Sequence, residues 1–155
     1  MSIFTHYRSA KKSFPLSSQM MKAGKFSTVI FLTASMPSSS KSITSTDLML
    51  FLAKIAAEDA IPYIIAEIPT NPRVEVPDLI QLRDVLSATR KTSKGEIAID
   101  PVFILDQTFC PNVHFLGEGE ILSTVSAISY ASGSKFPSGG RCTAGYCVGN
   151  KKAAG

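Results

Sequence analysis

An α/β fold with a mixed sheet and helices on both faces is predicted by three features of the 155-residue chain. Runs of β-branched and aromatic residues alternate with stretches whose apolar residues recur at helical spacing. Tyr63, Ile64, Ile65, Ala66 and Ile68 form a continuous apolar run, suited to a strand covered on both sides. Pro111 directly precedes a third apolar segment, Val113, Phe115 and Leu116. A proline cannot donate to a strand ladder, so it belongs at the first residue of an edge strand, at a bulge, or at an X-Pro bond able to be cis. A cis-proline loop feeding a central hairpin is how a thioredoxin-like sheet is built. The predicted architecture is therefore a thioredoxin-like three-layer α/β/α arrangement with a mixed sheet.

In chain order, residues 1–24 form a basic arm with no strong period. It reads either as a Ser-rich targeting segment or as the leading part of a weak signal peptide. The apolar core of such a signal would be Phe26 to Ala34, but Ser27, Thr28 and Thr33 interrupt it. Thr28, Val29, Ile30 and Phe31 instead predict a first, central strand over Ser27 to Leu32. A Ser/Lys loop follows, and Ser45 or Thr46 caps a helix from Asp47 to Ala60 with Leu48, Leu52, Ile55 and Ala56 on one face. Ile61-Pro62 ends that helix, and the apolar run from Tyr63 makes the second strand, parallel to the first. Pro77 opens a helix from Asp78 to Thr89 striped by Leu79, Leu82, Val85 and Leu86, with Arg90, Lys91 and Lys94 complementing its C-terminus.

The stretch from Glu96 to Leu116 organises the rest. It reads as a short strand (Ile97 to Ile99), one helical turn after Asp100-Pro101, then a strand over Val113 to Leu116. Gly117-Glu118-Gly119 predicts a hairpin turn and Glu120 to Leu122 the answering antiparallel strand. A last helix is expected within Ser123 to Ser132, and from Gly133 onward a flexible Gly/Ser/Lys-rich tail. The domain is thus expected to span residues 25–132 between an arm (1–24) and a tail (133–155).

Composition limits the function classes. Hydrophobic residues at 45% and charged residues at 18% describe a folded protein rather than a disordered one. No stretch approaches the length of apolar chain that a transmembrane helix needs. The net charge of +4 divides unevenly: Met1 to Thr46 and Gly133 to Gly155 carry ten bases and no acid, whereas Asp47 to Ser132 carries six bases and all twelve acids. An acidic body between solvated basic ends follows, and contact of those ends with RNA stands as an alternative role. Cys142 and Cys147, five residues apart, could close a local disulfide in an oxidising compartment or stay reduced. The two histidines, His6 and His114, have no spacing that would join cysteines in a metal site.

Three pieces of the chain also resemble the TrbC proteins of F-type conjugative pilus assembly, part of type IV secretion machinery. The first is the hydrophobic strand running into Ser35-Met36-Pro37; the second is Ile99, Asp100, Pro101 and Phe103. The third is Pro111-Asn112-Val113 followed by the segment around Ser126 to Ala131. They occur in the family's order, across about Ser27 to Ser132. The resemblance implies a periplasmic thioredoxin-like protein without redox activity, joining a partner of the TraW type in pilus assembly. It makes Ser35, Met36, Pro37, Asp100, Pro101, Phe103 and Pro111 the partner-binding or motif residues. Two departures stand out: Cys110 precedes the proline where Val or Thr is more usual, and the Cys-bearing tail has no counterpart.

Catalysis is not expected. A thioredoxin-type oxidoreductase needs a low-pKa thiolate at the helix following the first strand, where this chain reads SMPSSSKS. A single-thiol enzyme using Cys110, or a dithiol one using Cys142 and Cys147, is the alternative. Asp100 reads as a turn residue ahead of Pro101 and His114 as an edge histidine. No cofactor is implied, since neither GxGxxG nor GxxxxGK is present.

Overall fold

The apolar run that predicts a doubly covered strand does form one, Ile61–Glu67, near the middle of a six-stranded sheet. In chain order the elements are β1 (His6–Lys11), β2 (Ser27–Thr33), α1 (Ser45–Ala57), β3 (Ile61–Glu67), α2 (Leu79–Ser87), β4 (Val102–Asp106), β5 (Ser126–Ser132), β6 (Gly145–Gly149) and α3 (Lys151–Ala154). The computed structural model describes residues 6–11, 27–33, 43–71, 74–135 and 138–154. Ser35, Met36 and Pro37 lie outside these described residues.

The strands stand side by side in sequence order. β2, β3, β4 and β5 are parallel; β1 and β6 close the two edges antiparallel to their neighbours. This is the α/β class with a mixed sheet, consistent with a thioredoxin-like arrangement of that class. The connections within it differ from those expected. Each parallel strand is added on the same side of the one before, so right-handed crossovers deliver their connections to one face. On that face Leu48, Leu52 and Ile55 of α1 and Leu82, Val85 and Leu86 of α2 share a core with Ile30, Leu32, Ile64, Ala66, Phe103 and Leu105. The opposite face gathers Val29, Ile61 and Tyr63, with Ile65, Val102 and Ile104 against them. The period-2 alternation of β2 to β4 thus feeds two apolar clusters.

Local chemistry sets the helix ends. α1 is capped by Thr44, not by Ser45 or Thr46. Only from Thr44 does the third helical residue become a carboxylate: the Asp47 amide donates to Thr44 Oγ1 at 3.1 Å and Asp47 Oδ2 accepts from the Thr44 amide at 2.9 Å. The helix stops at Ala57 rather than Ala60, because Asp59 takes a left-handed conformation (φ 53°). There the amides of Asp59 and Ala60 return to the carbonyls of Ala56 and Ile55, a Schellman ending that frees Ile61-Pro62 to join β3. α2 starts from Asp78, whose Oδ1 accepts from the Ile80 and Gln81 amides at 3.0 Å each, and ends at Ser87 rather than Thr89. Arg90 folds back onto the Ala88 and Val85 carbonyls at that end, as its position predicts.

The C-terminal half corrects several expectations. Ile97 to Ile99 is not a strand; Ile97 makes a single bridge to Lys91, and Ile97 and Ile99 are exposed. The strand is Val102–Asp106, where a helical turn was expected, because Phe103 and Leu105 alternate into the core. Val113 to Leu116 is irregular chain that bends at Phe115 and Leu116, and Glu120 to Leu122 is a bend and turn, so the two do not pair as a hairpin. Among the described residues the cis bond is Ile68-Pro69, not Cys110-Pro111. Ser126–Ser132 is a strand, not a helix: Ala127, Ser129 and Ala131 point into the protein while Ile128 and Tyr130 face the other way. Its Ser and Ala content masks that alternation.

Both flanks belong to the fold. Part of the basic arm, His6–Lys11, is β1, and the supposed tail supplies β6 and α3. Two glycines let β6 approach β5. A Cβ on Gly133 would lie 2.8 Å from the Ala144 carbonyl oxygen, and one on Gly145 equally close to that of Ala131. Gly/Ser composition here marks a close strand crossing, not a loss of structure.

Candidate functional site

An open groove of about 610 Å³ lies between the connection from β4 to β5 and the last two strands. Its floor is Ser129 on β5 with Tyr146 and Val148 on β6; its wall runs from Pro111 to Gly119; Asn150 and Lys151 close one end. The register pairs Ser129 with Val148 and Ala131 with Tyr146, which sets Tyr146 and Val148 on the same face as the buried side of β5.

Buried polar side chains hold the wall to the floor. Gln107, 5% exposed, stands at the C-terminal end of β4; its Nε2 donates to the Val113 carbonyl at 2.7 Å and its Oε1 accepts from the Ser129 hydroxyl. Asn150, 8% exposed, spans the other end. Its Nδ2 donates to the carbonyls of Leu122 and Val125, and its Oδ1 accepts from the amides of Ala127 and Ala153. Tyr146 donates its hydroxyl to the Pro111 carbonyl at 3.2 Å, and Lys151 pairs with Glu118 across the mouth at 3.0 Å. Among the described residues no buried side-chain nitrogen or oxygen lacks a partner.

Of the residues singled out from the sequence, Pro111 lines this groove, and so does His114. Asp100, Pro101 and Phe103 sit instead where β4 begins. Phe103 is fully buried in the core and Pro101 is buried. Asp100 is half-exposed and pairs with Lys152 of α3 at 2.7 Å, while Lys152 also donates to the Thr124 carbonyl. Burial pushes the Arg90 guanidinium below its usual range, and the negative charge of Asp100 opposes that shift. This trio therefore anchors the strand and the C-terminal helix.

The cysteines are free thiols, so the bridge that the spacing of Cys142 and Cys147 allows is not formed. Cys147 is at the centre of β6, opposite Tyr130. Cys142 is fully exposed, and its thiol is lowered from the ordinary range first by a hydrogen bond with the Ala144 backbone and then by Ser138. Cys110 is half-buried, its amide held by the Gln107 carbonyl. On the sheet face away from the groove, Glu67, Asp106 and Tyr130 fall in one row at the C-terminal ends of β3, β4 and β5. Tyr130 is pushed up to about 12 by burial, by its hydrogen bond to Asp106 and by the charges of Asp106 and Glu67. Among the described residues no three His, Cys, Asp or Glu stand together as a metal site.

Gln107, Ser129, Tyr146 and Asn150 carry no local sequence signal, because their partners lie up to 35 residues away. A smaller apolar cavity of about 160 Å³ lies beside Ile30, Leu32 and Leu48 at the start of α1. No helix among the described residues is long and apolar enough to cross a membrane. Compared with protein-family models, with curated proteins and with solved structures, the chain finds no match.

Proposed function

We propose that the chain is a non-catalytic binding protein whose groove grips a segment of a partner protein. With the resemblance to TrbC proteins, that partner is a pilus-assembly protein of the TraW type and the setting is the periplasm. The observation that carries the reading is the division of labour around the groove. Its buried polar groups are consumed in holding wall to floor, whereas Val113, Tyr146 and Val148 are large apolar side chains left 39%, 47% and 51% exposed. Ser129, the hydroxyl on the floor, donates to an amide oxygen and not to a base, so it is not activated as a nucleophile. Exposed apolar side chains rimmed by an ion pair are the makings of a protein contact.

Titration of the purified chain with a TraW-type protein tests this. Binding is expected, with Val113→Asp weakening it about tenfold or more, equivalent to at least about 1.4 kcal/mol. An absence of association at concentrations of about 100 µM removes the partner assignment.

Cys142 supports a second reading, thiol chemistry, since an exposed thiol with a lowered pKa is a competent nucleophile. An insulin-reduction assay decides it: turnover lost in Cys142→Ser favours the enzyme, and no turnover in the unaltered chain eliminates it.

A further inference from the structure

The outer edge of β6 is unlike the other edge of the sheet. β1 carries Arg8 and Lys11 in its sequence, whereas β6 reads Gly-Tyr-Cys-Val-Gly, with no charge and no proline. Natural edge strands are usually blunted by such residues. All five residues of β6 are exposed, and among the described residues no strand pairs with its outer side.

The hydrogen-bond pattern states which backbone groups are spare. Gly133 donates to the Ala144 carbonyl and Asn150 to that of Ala127, so the even-numbered residues of this segment face β5. Gly145, Cys147 and Gly149 therefore direct their N–H and C=O groups outward.

We propose that the chain forms a two-fold dimer by antiparallel pairing of β6 with β6 of a second copy, the axis passing at Cys147. This register satisfies every outward group: Cys147 bonds to Cys147 of the second copy, and Gly145 and Gly149 bond reciprocally. It also sets Tyr146 directly across from Val148 of the second copy, twice. An aromatic opposite a β-branched residue is a favourable cross-strand pair, and these are the two large apolar side chains that β6 leaves exposed. The basic residues Arg141, Lys151 and Lys152 fall outside the paired stretch. The sheet then runs unbroken through both copies, and the two grooves lie on one face on either side of the axis. The dimer does not depend on the identity of the groove's partner.

The geometry supplies its own probe. Residues directly opposite in a hydrogen-bonded pair have Cα atoms about 5.5 Å apart, inside the range a disulfide spans. Oxidised glutathione should therefore convert two Cys147 thiols, one from each copy, into one disulfide, releasing two molecules of reduced glutathione. The test uses the full chain. Sedimentation under reductant over roughly a hundredfold range of concentration should show a monomer–dimer equilibrium. Oxidised glutathione should then trap a covalent dimer in the unaltered chain and in Cys142→Ser but not in Cys147→Ser, which should still dimerise under reductant. Cys147→Lys places two like charges across the axis and should weaken the dimer about tenfold or more. A monomer at every concentration, a trapped dimer that requires Cys142 instead of Cys147, or a dimer indifferent to Cys147→Lys would each overturn the proposal. The trapping experiment on the unaltered chain stands even if the lysine variant fails to fold.

Discussion

Between α1 and strands β2 and β3 the contacts are apolar: Leu48, Leu52 and Ile55 against Ile30, Leu32 and Ile64. Between the segment after β4 and strands β5 and β6, buried amides and hydroxyls join the pieces alongside a few apolar anchors such as Leu122 and Val125. The first region is bound by area removed from water, which tolerates rearrangement so long as volume is kept. The second is bound by directional hydrogen bonds, each with a buried donor or acceptor that is costly to orphan. A cavity the size of the groove survives beside the second region because polar stitches hold its walls without filling it.

The largest effect should come where the two regions meet. Phe103 is fully buried and belongs to the shared core, so Phe103→Ala should lower stability by about 3–5 kcal/mol, measured by urea unfolding. A variant that lost only partner binding and kept its stability would return Phe103 to the role the resemblance implies. Asn150→Ala should cost about 2–3 kcal/mol, since the Leu122 and Val125 carbonyls lose a buried donor. Its signature is regional: amide exchange should quicken in β6 and α3 while α1 is unchanged. Loss of protection throughout α1 as well would dissolve the distinction between the regions.

The two regions also differ in how far they could be read from sequence. β2, α1, β3 and α2 each carry a long run with one period, and their existence and order follow from it. Their ends do not, because Thr44 outcompetes Ser45 as a cap only through Asp47, three residues on. In the C-terminal half the strands are short, and on β5 the inward residues are the small Ala127, Ser129 and Ala131, which alternate with Ile128 and Tyr130 with little hydrophobic contrast. β6 is three non-glycine residues between two glycines, too brief to show alternation. The groove was least legible, since Gln107 meets Ser129, and Asn150 meets Val125, only after the sheet is assembled.

Smaller perturbations sharpen the comparison. Asp100→Asn removes an ion pair with Lys152 whose partners are each 42% exposed, so it should cost no more than about 1 kcal/mol and less in 1 M salt. The smallest effect at neutral pH belongs to Tyr130. Its folded pKa of about 12 lies above the ordinary 10, so the unfolded chain loses this proton first as pH rises. Its contribution is therefore complete below about pH 10 and is lost as pH climbs toward about 12. Tyr130→Phe should lower stability at pH 7 by about 0.5 kcal/mol, through the lost hydrogen bond to Asp106, and flatten that alkaline decline. An unaltered decline in the variant would place the titrating group elsewhere.

Residue-resolved amide exchange along β6 in dilute solution, where the monomer dominates, tests most directly whether the C-terminal segment completes the sheet and so builds the groove. The amides of Tyr146, Val148 and Asn150, which face β5, should be protected, and those of Gly145, Cys147 and Gly149 should exchange freely. Equally fast exchange at all of these positions would contradict the strand, the groove it floors and the function proposed for it.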